Sequence, residues 1–212
     1  MSMLKAVIEP QERVCCQVLA THSRVHEISN DLTHYTKHFN SAESLQREWV
    51  ALRECQGAQI QKVVDVDWSK LQLTLEFDQS AIPLIEFEPE DLALFASLLP
   101  SVVQAIKHCH SKGWVHGDIK PSNLLYVPQL QHIRLIDFGA SCRTGSSREA
   151  LSDWQATPMF ASPNQKSGEG LVETGDDWFS LIQIIDQVMS YAHDYSINST
   201  LIQWRKALSL EI

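Results

Sequence analysis

The chain has 212 residues, of which 44% are hydrophobic and 20% are charged, and its formal net charge is −9. This composition is typical of a globular protein with enough apolar residues for a sizeable core. The negative charge argues against a general nucleic-acid-binding protein. There is no uninterrupted run of 18 apolar residues and no basic-then-apolar leader. We therefore expect neither a membrane span nor secretion.

Neither the cysteines nor the histidines have the spacing of a metal site. The five cysteines are odd in number and include the adjacent Cys15 and Cys16, which favours reduced thiols and a cytoplasmic location. His108 and His110 would point to different faces of a helix, and no fourth ligand is suitably spaced. We therefore expect no metal site at these histidines.

The first 78 residues have the pattern of a small sheet with one helix. Short apolar runs bounded by turn residues predict five strands, near 12–20, 23–29, 32–39, 60–67 and 71–77. A helix is predicted to begin after Asn40-Ser41, where either side chain can cap it. Leu45, Trp49 and Leu52 recur at helical spacing and predict its buried face.

The rest of the chain has the pattern of helices. Apolar residues with a 3.6-residue period predict a long helix over 92–110, which Pro100 should kink or split. A mostly buried helix is predicted over 174–191, and a short last helix over 197–210.

Between these helices lies a group of residues suited to phosphoryl transfer. Asp118, Lys120 and Asn123 fall within six positions, and Asp137 follows beside Phe138-Gly139. This set offers a carboxylate for an acceptor hydroxyl, a cation for the moving phosphate and two oxygen donors for a metal. Because phosphoryl transfer depends on positioning and charge neutralisation, such groups would suffice.

Two stretches resemble motifs of the protein-kinase superfamily. Residues 116–123 are similar to the catalytic loop, and Asp137-Phe138-Gly139 is similar to the metal-binding motif. The resemblance implies that Asp118 orients the acceptor hydroxyl and takes its proton, while Lys120 neutralises the phosphate. It also implies that Asn123 and Asp137 hold Mg²⁺ on the phosphates of ATP.

The same resemblance implies an α+β, two-lobed protein-kinase-like fold. Residues 1–78 would form a small lobe with a five-stranded antiparallel sheet and one helix. Residues 79–212 would form a reduced helical lobe with the catalytic loop and the activation segment.

Four residues of the small lobe are implied to contribute to ATP binding. A kinase holds the phosphates with a lysine on its third strand, steadied by a glutamate on the next helix, and Lys37 and Glu48 match these. Glu76 and Asp78 match the hinge between the lobes, whose backbone groups bind adenine.

Residues 156–164 resemble the closing stretch of a kinase activation segment, which shapes the site for a peptide acceptor. Thr157 would hydrogen-bond near Asp118 and Lys120, and Asp177 would hold the backbone of the catalytic loop. This stretch, together with Lys120, favours a serine/threonine protein kinase. Its acceptor would be a protein, with the chain itself as one candidate.

The chain departs from the family pattern in its nucleotide site. No glycine precedes Gly57, so the glycine-rich phosphate loop is missing. Residues 18–25 take its place, so we expect the nucleotide to be held more loosely, or by side chains such as Ser23 or Arg24. Tyr35 stands where kinases carry an alanine against adenine, and its ring should crowd the pocket.

Two further departures concern the activation segment. Gly117 replaces an arginine that normally grips a phosphate on this segment, which predicts activity without a phosphorylation switch. Asn164 replaces a glutamate that normally pairs with an arginine on a late helix. Both halves of that ion pair are expected to be missing.

Two other functions fit parts of the pattern. The stretch 35–39, followed by a glutamate helix, is also similar to lipopolysaccharide kinases and would suit a sugar or another small-molecule acceptor. Tyr35 and the missing glycines would suit a pseudokinase that acts by docking, whereas the full set of catalytic residues favours an enzyme. The identity of the acceptor and the oligomeric state have no signature in the sequence.

Overall fold

A computed structural model describes residues 27–28, 33–151 and 155–212. The strands are β1 Glu27–Ile28, β2 His34–His38, β3 Val63–Asp67, β4 Gln72–Glu76, β5 Ile82–Pro83, β6 Trp114–Val115, β7 Leu124–Val127, β8 His132–Leu135 and β9 Cys142–Arg143. The helices are α1 Ala42–Glu54, α2 Leu92–Ser111, α3 Pro163–Ser167, α4 Gly175–Met189 and α5 Tyr195–Leu208. The strand predicted near 12–20 and the substitute phosphate loop at 18–25, with Ser23 and Arg24, lie outside the described residues.

The first sheet is antiparallel, with the strand order β1-β2-β4-β3. Its register places Tyr35 opposite Leu75 and Lys37 opposite Leu73. Because side chains alternate across a strand, Tyr35 and Lys37 share a face, and all four of these residues are buried. Lys37 therefore points into the interior of the molecule.

Helix α1 covers this face and begins where it was predicted to begin. The Ser41 side chain caps it by accepting a hydrogen bond from a first-turn amide at 3.2 Å. Leu45 and Leu52 are buried as predicted, whereas Trp49 is only half-buried. The buried face of the helix contains residues 45, 48 and 52. Each helical residue is rotated by about 100° from the one before it, so Trp49 is turned away from this face. Glu48 therefore takes the inward position.

A second sheet, with the strand order β5-β7-β8, was not predicted. Strands β7 and β8 form an antiparallel hairpin in which Leu124 pairs with Leu135. Asn123 directly precedes the first strand, and Ile136-Asp137 directly follows the second. The hairpin therefore brings the end of the catalytic loop next to the metal-binding motif.

Helix α2 forms the centre of the apolar core. It continues through Pro100 instead of splitting there. Phe95, Leu99 and Ile106 on one side of it are fully buried. With the turn before it, Pro89–Ser111 is the helix in the described part of the chain that is long and apolar enough to cross a membrane. The buried helix of a globular core passes the same test.

The two last helices match their predictions to within two residues. α4 corresponds to the predicted 174–191 and α5 to the predicted 197–210. Asp176 and Asp177 in the first turn of α4 are both buried. Because buried carboxylates are rare unless they are paired, both are expected to have polar partners. The architecture is α+β as predicted, and the division into lobes at residue 78 stays a prediction.

Candidate active site

A buried ion cluster joins three distant parts of the chain. Lys37 Nζ, on β2, lies 2.7 and 3.0 Å from the two carboxylate oxygens of Glu48 on α1. The same nitrogen lies 2.8 Å from Asp137 Oδ1, just after the β7–β8 hairpin. The sheet, the helix and the metal-binding motif therefore meet at one amino group.

The environment shifts the pKa of each of the three side chains in this cluster. Burial alone would lower the pKa of Lys37, but the adjacent carboxylates of Glu48 and Asp137 outweigh it and raise this pKa. Burial alone would raise the pKa of Asp137, but the charge and hydrogen bond of Lys37 hold it at about 2. Burial raises the pKa of Glu48, against the opposing effect of Lys37.

A second group of polar residues surrounds Asp118. Thr157 Oγ1 donates to Asp118 Oδ1 at 2.7 Å, and Lys120 Nζ lies 2.8 Å from Asp118 Oδ2. Lys120 Nζ also donates to Thr157 Oγ1 at 3.2 Å. The predicted contacts of Thr157 are therefore present, and they link the activation segment to the catalytic loop.

Asp177 holds the backbone of this loop, as predicted. Its carboxylate accepts hydrogen bonds from the amides of His116 and Gly117, each at 2.9 Å. It also lies 2.9 Å from His110 Nε2. Burial would raise the pKa of Asp177, but the hydrogen bond and charge of His110 lower it. His116 in turn bonds to the Ile136 carbonyl at 3.0 Å, so both histidines have structural roles.

Gly117 is required by the local backbone. Its φ of +80° is in the left-handed region, and an added Cβ would lie 2.6 Å from the Ala140 carbonyl oxygen. The position that carries an arginine in the family pattern is closed to any side chain in this conformation.

Asn123 and Asp137 are suited to Mg²⁺. The Ile136 amide donates to the Asn123 carbonyl at 3.1 Å, and this bond holds Asn123 next to the segment that carries Asp137. The Asn123 side-chain nitrogen donates to the Asp118 carbonyl at 2.9 Å, so its side-chain oxygen is the atom it can offer to a metal. Asp137 can offer Oδ2, since Lys37 binds Oδ1. Two hard oxygen donors beside a phosphate site are what Mg²⁺ commonly uses.

Residues 27–28, 33–151 and 155–212 contain no cluster of histidine, cysteine and carboxylate ligands. No set of three or more His, Cys, Asp and Glu side chains is arranged there to hold a metal ion. His108 Nε2 lies 3.0 Å from the Cys55 carbonyl, in a contact between α2 and the end of α1.

The predicted hinge residues lie at the end of the first sheet. The Glu76 amide donates to the Lys62 carbonyl at 2.9 Å, and the Glu76 side chain is 39% exposed. Asp78 Oδ1 accepts hydrogen bonds from the amide and hydroxyl of Ser80 at 3.0 and 2.6 Å. The Asp78 side chain therefore stabilises the turn after the strand, whereas the Glu76 carboxylate lies 3.8 Å from Arg134 Nη1. Neither side chain takes part in the two groups above.

Tyr35 is packed inside, two residues before Lys37. Its side chain is 4% exposed, and its hydroxyl accepts a hydrogen bond from Gln61 Nε2 at 3.1 Å. Its ring meets the edge of Phe77 at 6.3 Å between centroids. Burial raises the pKa of the Tyr35 hydroxyl, so the residue is neutral. The ring thus lies on the same buried face of the sheet as Lys37, and its predicted effect on adenine binding stays a prediction.

A buried polar network beside the catalytic loop was missed by sequence reasoning. Arg148 pairs with Asp176, and Ser162 and Gln165 continue the network toward the catalytic loop. Asn164, by contrast, is exposed. Arg148 lies in a polar stretch that reads as a solvated loop, so no local pattern marks it. The ion pair of Arg148 with Asp176 is therefore a different pair from the family's glutamate–arginine pair, in which Asn164 replaces the glutamate.

The chain belongs to the protein kinase family. Residues 21–208 match the family model described as the protein kinase domain. The mixed sheets and helices are thus a protein-kinase-like fold, and the resemblance in the catalytic loop extends over most of the chain.

Three curated relatives illustrate this similarity. The rat interferon-induced, double-stranded RNA-activated protein kinase is 35% identical over 102 residues, covering 47% of this chain and 19% of the relative. The zebrafish serine/threonine-protein kinase pim-2 is 33% identical over 107 residues, covering 46% of this chain and 34% of the relative. The Drosophila melanogaster serine/threonine-protein kinase Genghis Khan is 36% identical over 98 residues, covering 44% of this chain and 6% of the relative. The chain therefore spans about a third or less of the length of these relatives.

Proposed function

We propose that the protein transfers the γ-phosphoryl group of ATP, with Mg²⁺, to serine or threonine hydroxyls of a protein. The observation that carries this proposal is the contact of Asp118 with both Lys120 and Thr157. A carboxylate, a cation and the activation segment meet there, as transfer to a positioned hydroxyl requires.

The buried ion cluster is suited to the nucleotide phosphates. Lys37 would bind the α and β phosphates, and Glu48 holds its amino group in place. Asn123 and Asp137 would hold Mg²⁺, which neutralises phosphate charge when bound.

The transfer step then needs few groups. The acceptor oxygen forms a bond to the γ phosphorus while the bond from this phosphorus to the β–γ bridging oxygen breaks. Asp118 orients the acceptor hydroxyl and takes its proton, and ADP leaves. Lys120 neutralises charge on the moving phosphoryl group.

A protein acceptor is favoured over a sugar or another small molecule. The activation segment reaches the catalytic aspartate through Thr157, and the Phe160 carbonyl is held by the Ser180 hydroxyl at 3.0 Å. An ordered backbone beside Asp118 gives a peptide a surface to bind. Two of the relatives are named serine/threonine-protein kinases, which supports the same class of acceptor.

One observation supports the alternative of a docking pseudokinase. The inward packing of Tyr35 places an aromatic ring beside Lys37, where it would weaken nucleotide binding. The intact cluster around Lys37 favours the enzyme. We also propose a cytoplasmic location, which agrees with free thiols at Cys55, Cys109 and Cys142.

The proposal is tested with labelled ATP, Mg²⁺ and a generic basic acceptor protein. Asp118→Ala should abolish transfer and leave the fold and nucleotide binding nearly intact, because Asp118 faces the acceptor. Asp186→Ala, which removes an exposed carboxylate paired with Arg205 on the surface, is the matched control and should keep full transfer.

The outcomes separate the candidate functions. Transfer that Asp118→Ala retains in full would contradict the assignment of the catalytic loop. No transfer, together with heat stabilisation by ATP and Mg²⁺, would indicate a small-molecule acceptor or a restricted protein target. Neither transfer nor stabilisation would indicate the docking function.

A further inference from the structure

A buried arginine anchors the activation segment, residues 137–164. Arg148 is 2% exposed, and its guanidinium pairs with Asp176 in the first turn of α4. It also donates to the carbonyl oxygen of Leu171 and to that of Glu169, the latter at 3.2 Å. A buried cation is costly unless it is paired and hydrogen-bonded, so these contacts favour one position of the segment.

The backbone near Arg148 is paired as well. The Gly145 amide donates to the Val172 carbonyl, and the Val172 amide donates to the Ser146 carbonyl, each at 2.8 Å. The Arg148 amide donates to the Gly170 carbonyl at 2.9 Å. Backbone hydrogen bonds thus join the middle of the activation segment to the loop before α4.

A chain of hydrogen bonds leads from this anchor to the catalytic loop. Ser162 Oγ donates to Asp176 at 2.6 Å, and the Ser162 amide donates to Gln165 Oε1 at 2.9 Å. Gln165 Nε2 donates to the Gly117 carbonyl at 3.0 Å, directly before Asp118. Ser162, Gln165 and Asp176 are all buried, so water does not compete strongly for these bonds.

We propose that Arg148 is a positioning residue that holds the acceptor-binding stretch, residues 156–164, ready for transfer without phosphorylation of the chain. This inference rests on the proposed function. Gly117 leaves no side chain before Asp118 to grip a phosphate, and its backbone admits none. In the family pattern, an arginine before the catalytic aspartate holds the segment only when the segment is phosphorylated. Here the ion pair of Arg148 with Asp176 holds the segment without a phosphate.

The effect of Arg148 should fall on the acceptor and spare the nucleotide. Its contacts lead to Ser162, Gln165 and Gly117, whereas Lys37 and Asp137 belong to a separate cluster. Losing the anchor would displace the acceptor relative to Asp118. Because small misplacements slow transfer strongly, the kcat/KM for the acceptor should fall by about tenfold to 100-fold.

The variants are chosen to keep the protein folded. Removing Arg148 alone would leave the Asp176 charge buried and uncompensated, so both charges are removed together. The test variant is therefore Arg148→Met with Asp176→Asn, whose side-chain oxygen can still accept the hydrogen bond of the Ser162 hydroxyl. Arg143→Met is the matched control, since Arg143 lies on the same segment, is half-exposed and pairs with Glu54 at the surface.

Transfer and nucleotide affinity are measured on phosphatase-treated protein shown by mass spectrometry to carry no phosphate. We expect full transfer from the treated parent and from Arg143→Met. The double variant should lose acceptor kcat/KM and keep its dissociation constant for ATP with Mg²⁺ within about twofold. A double variant with parental acceptor kinetics, or a parent silenced by phosphatase, would overturn the proposal.

Amide hydrogen exchange gives a readout that does not need catalysis. In the double variant, residues 156–165 should exchange faster than in the parent, while α1 and β2 remain unchanged. Unchanged exchange in 156–165 would refute the anchoring role. A parent that transfers nothing to any acceptor would refute the proposed function, and exchange would then decide the anchoring role alone.

Discussion

At the scale of single residues, the site depends on charges that are buried together. Lys37 is buried because Glu48 and Asp137 satisfy its amino group from two other elements. The order of motifs along the chain predicts Lys37 and Glu48, since a lysine strand precedes a glutamate helix. The partner of Tyr35 could not be predicted, because Gln61 lies on another segment with no pattern that links the two.

Tyr35→Ala should open space beside Lys37. We expect ATP with Mg²⁺ to bind about tenfold more tightly, a gain of about 1.4 kcal/mol, because the ring no longer crowds the base. The lost packing should lower the free energy of unfolding by about 3–5 kcal/mol. Isothermal titration and urea unfolding measure the two effects.

Tyr35→Phe is the control for this change. It keeps the ring and removes the hydrogen bond from Gln61, so it should cost about 1–3 kcal/mol of stability without tightening ATP binding. If both variants bind ATP equally well, the ring does not obstruct the nucleotide.

At the scale of elements, the segments that position the site residues are the ones that the sequence predicts least well. The β7–β8 hairpin places Asn123 beside Asp137, but its strands have four residues each, which leaves too few positions for an alternation to show. The first turn of α4 is similar. Asp177 was recognised from the family pattern, whereas Asp176 acts through Arg148, 28 residues away in a polar stretch. Long periodic helices were predicted well because their apolar period repeats several times.

Gly117→Ala should disrupt the catalytic loop. The new Cβ would lie 2.6 Å from the Ala140 carbonyl oxygen at a φ of +80°, so the loop must shift and carry Asp118 with it. We expect a loss of about 2–4 kcal/mol in the free energy of unfolding and a fall in transfer rate of about 100-fold. Urea unfolding and labelled transfer measure both.

Gly145→Ala provides the matched control for backbone strain alone. Gly145 has a φ of +83°, and nothing lies within 4 Å of its added Cβ. It should cost only about 1 kcal/mol and leave transfer unchanged. Equal losses in the two variants would mean that strain, and not the contact with Ala140, explains the requirement for glycine at 117.

At the scale of the whole molecule, the fold was predictable because its motifs keep one order along the chain. The lysine strand, the glutamate helix, the catalytic loop and the buried helix follow one another as in the family, and residues 21–208 match the protein kinase domain. What the order of motifs does not contain is how distant segments are joined. Thr157 reaches Asp118 and Arg148 reaches Asp176 only after the chain has folded.

The stability of the whole molecule should depend on pH through Asp137. Its pKa is about 2 in the folded state, below the ordinary value for an aspartate, because Lys37 favours its charged form. A lowered pKa stabilises the fold above the ordinary pKa, and this stabilisation is lost as the pH falls toward 2. Asp137→Asn removes the contribution, which is about 2–3 kcal/mol. The difference in unfolding free energy between parent and variant should therefore be largest above pH ~5 and shrink toward pH ~2.

Urea unfolding from pH 3 to 7 follows this difference, with Asp65→Asn on the exposed side of β3 as the control that should track the parent. The same variants link stability to ligand binding, since binding to the folded state alone raises the unfolding temperature. ATP with Mg²⁺ should stabilise the parent and Asp65→Asn, whereas Asp137→Asn should lose the Mg²⁺-dependent part because one of the two proposed metal ligands is weakened. A pH-independent difference would show that Asp137 is not held ionised by Lys37. Full Mg²⁺-dependent stabilisation of Asp137→Asn would instead remove Asp137 from the metal site and leave the ion cluster as a structural joint between sheet, helix and hairpin.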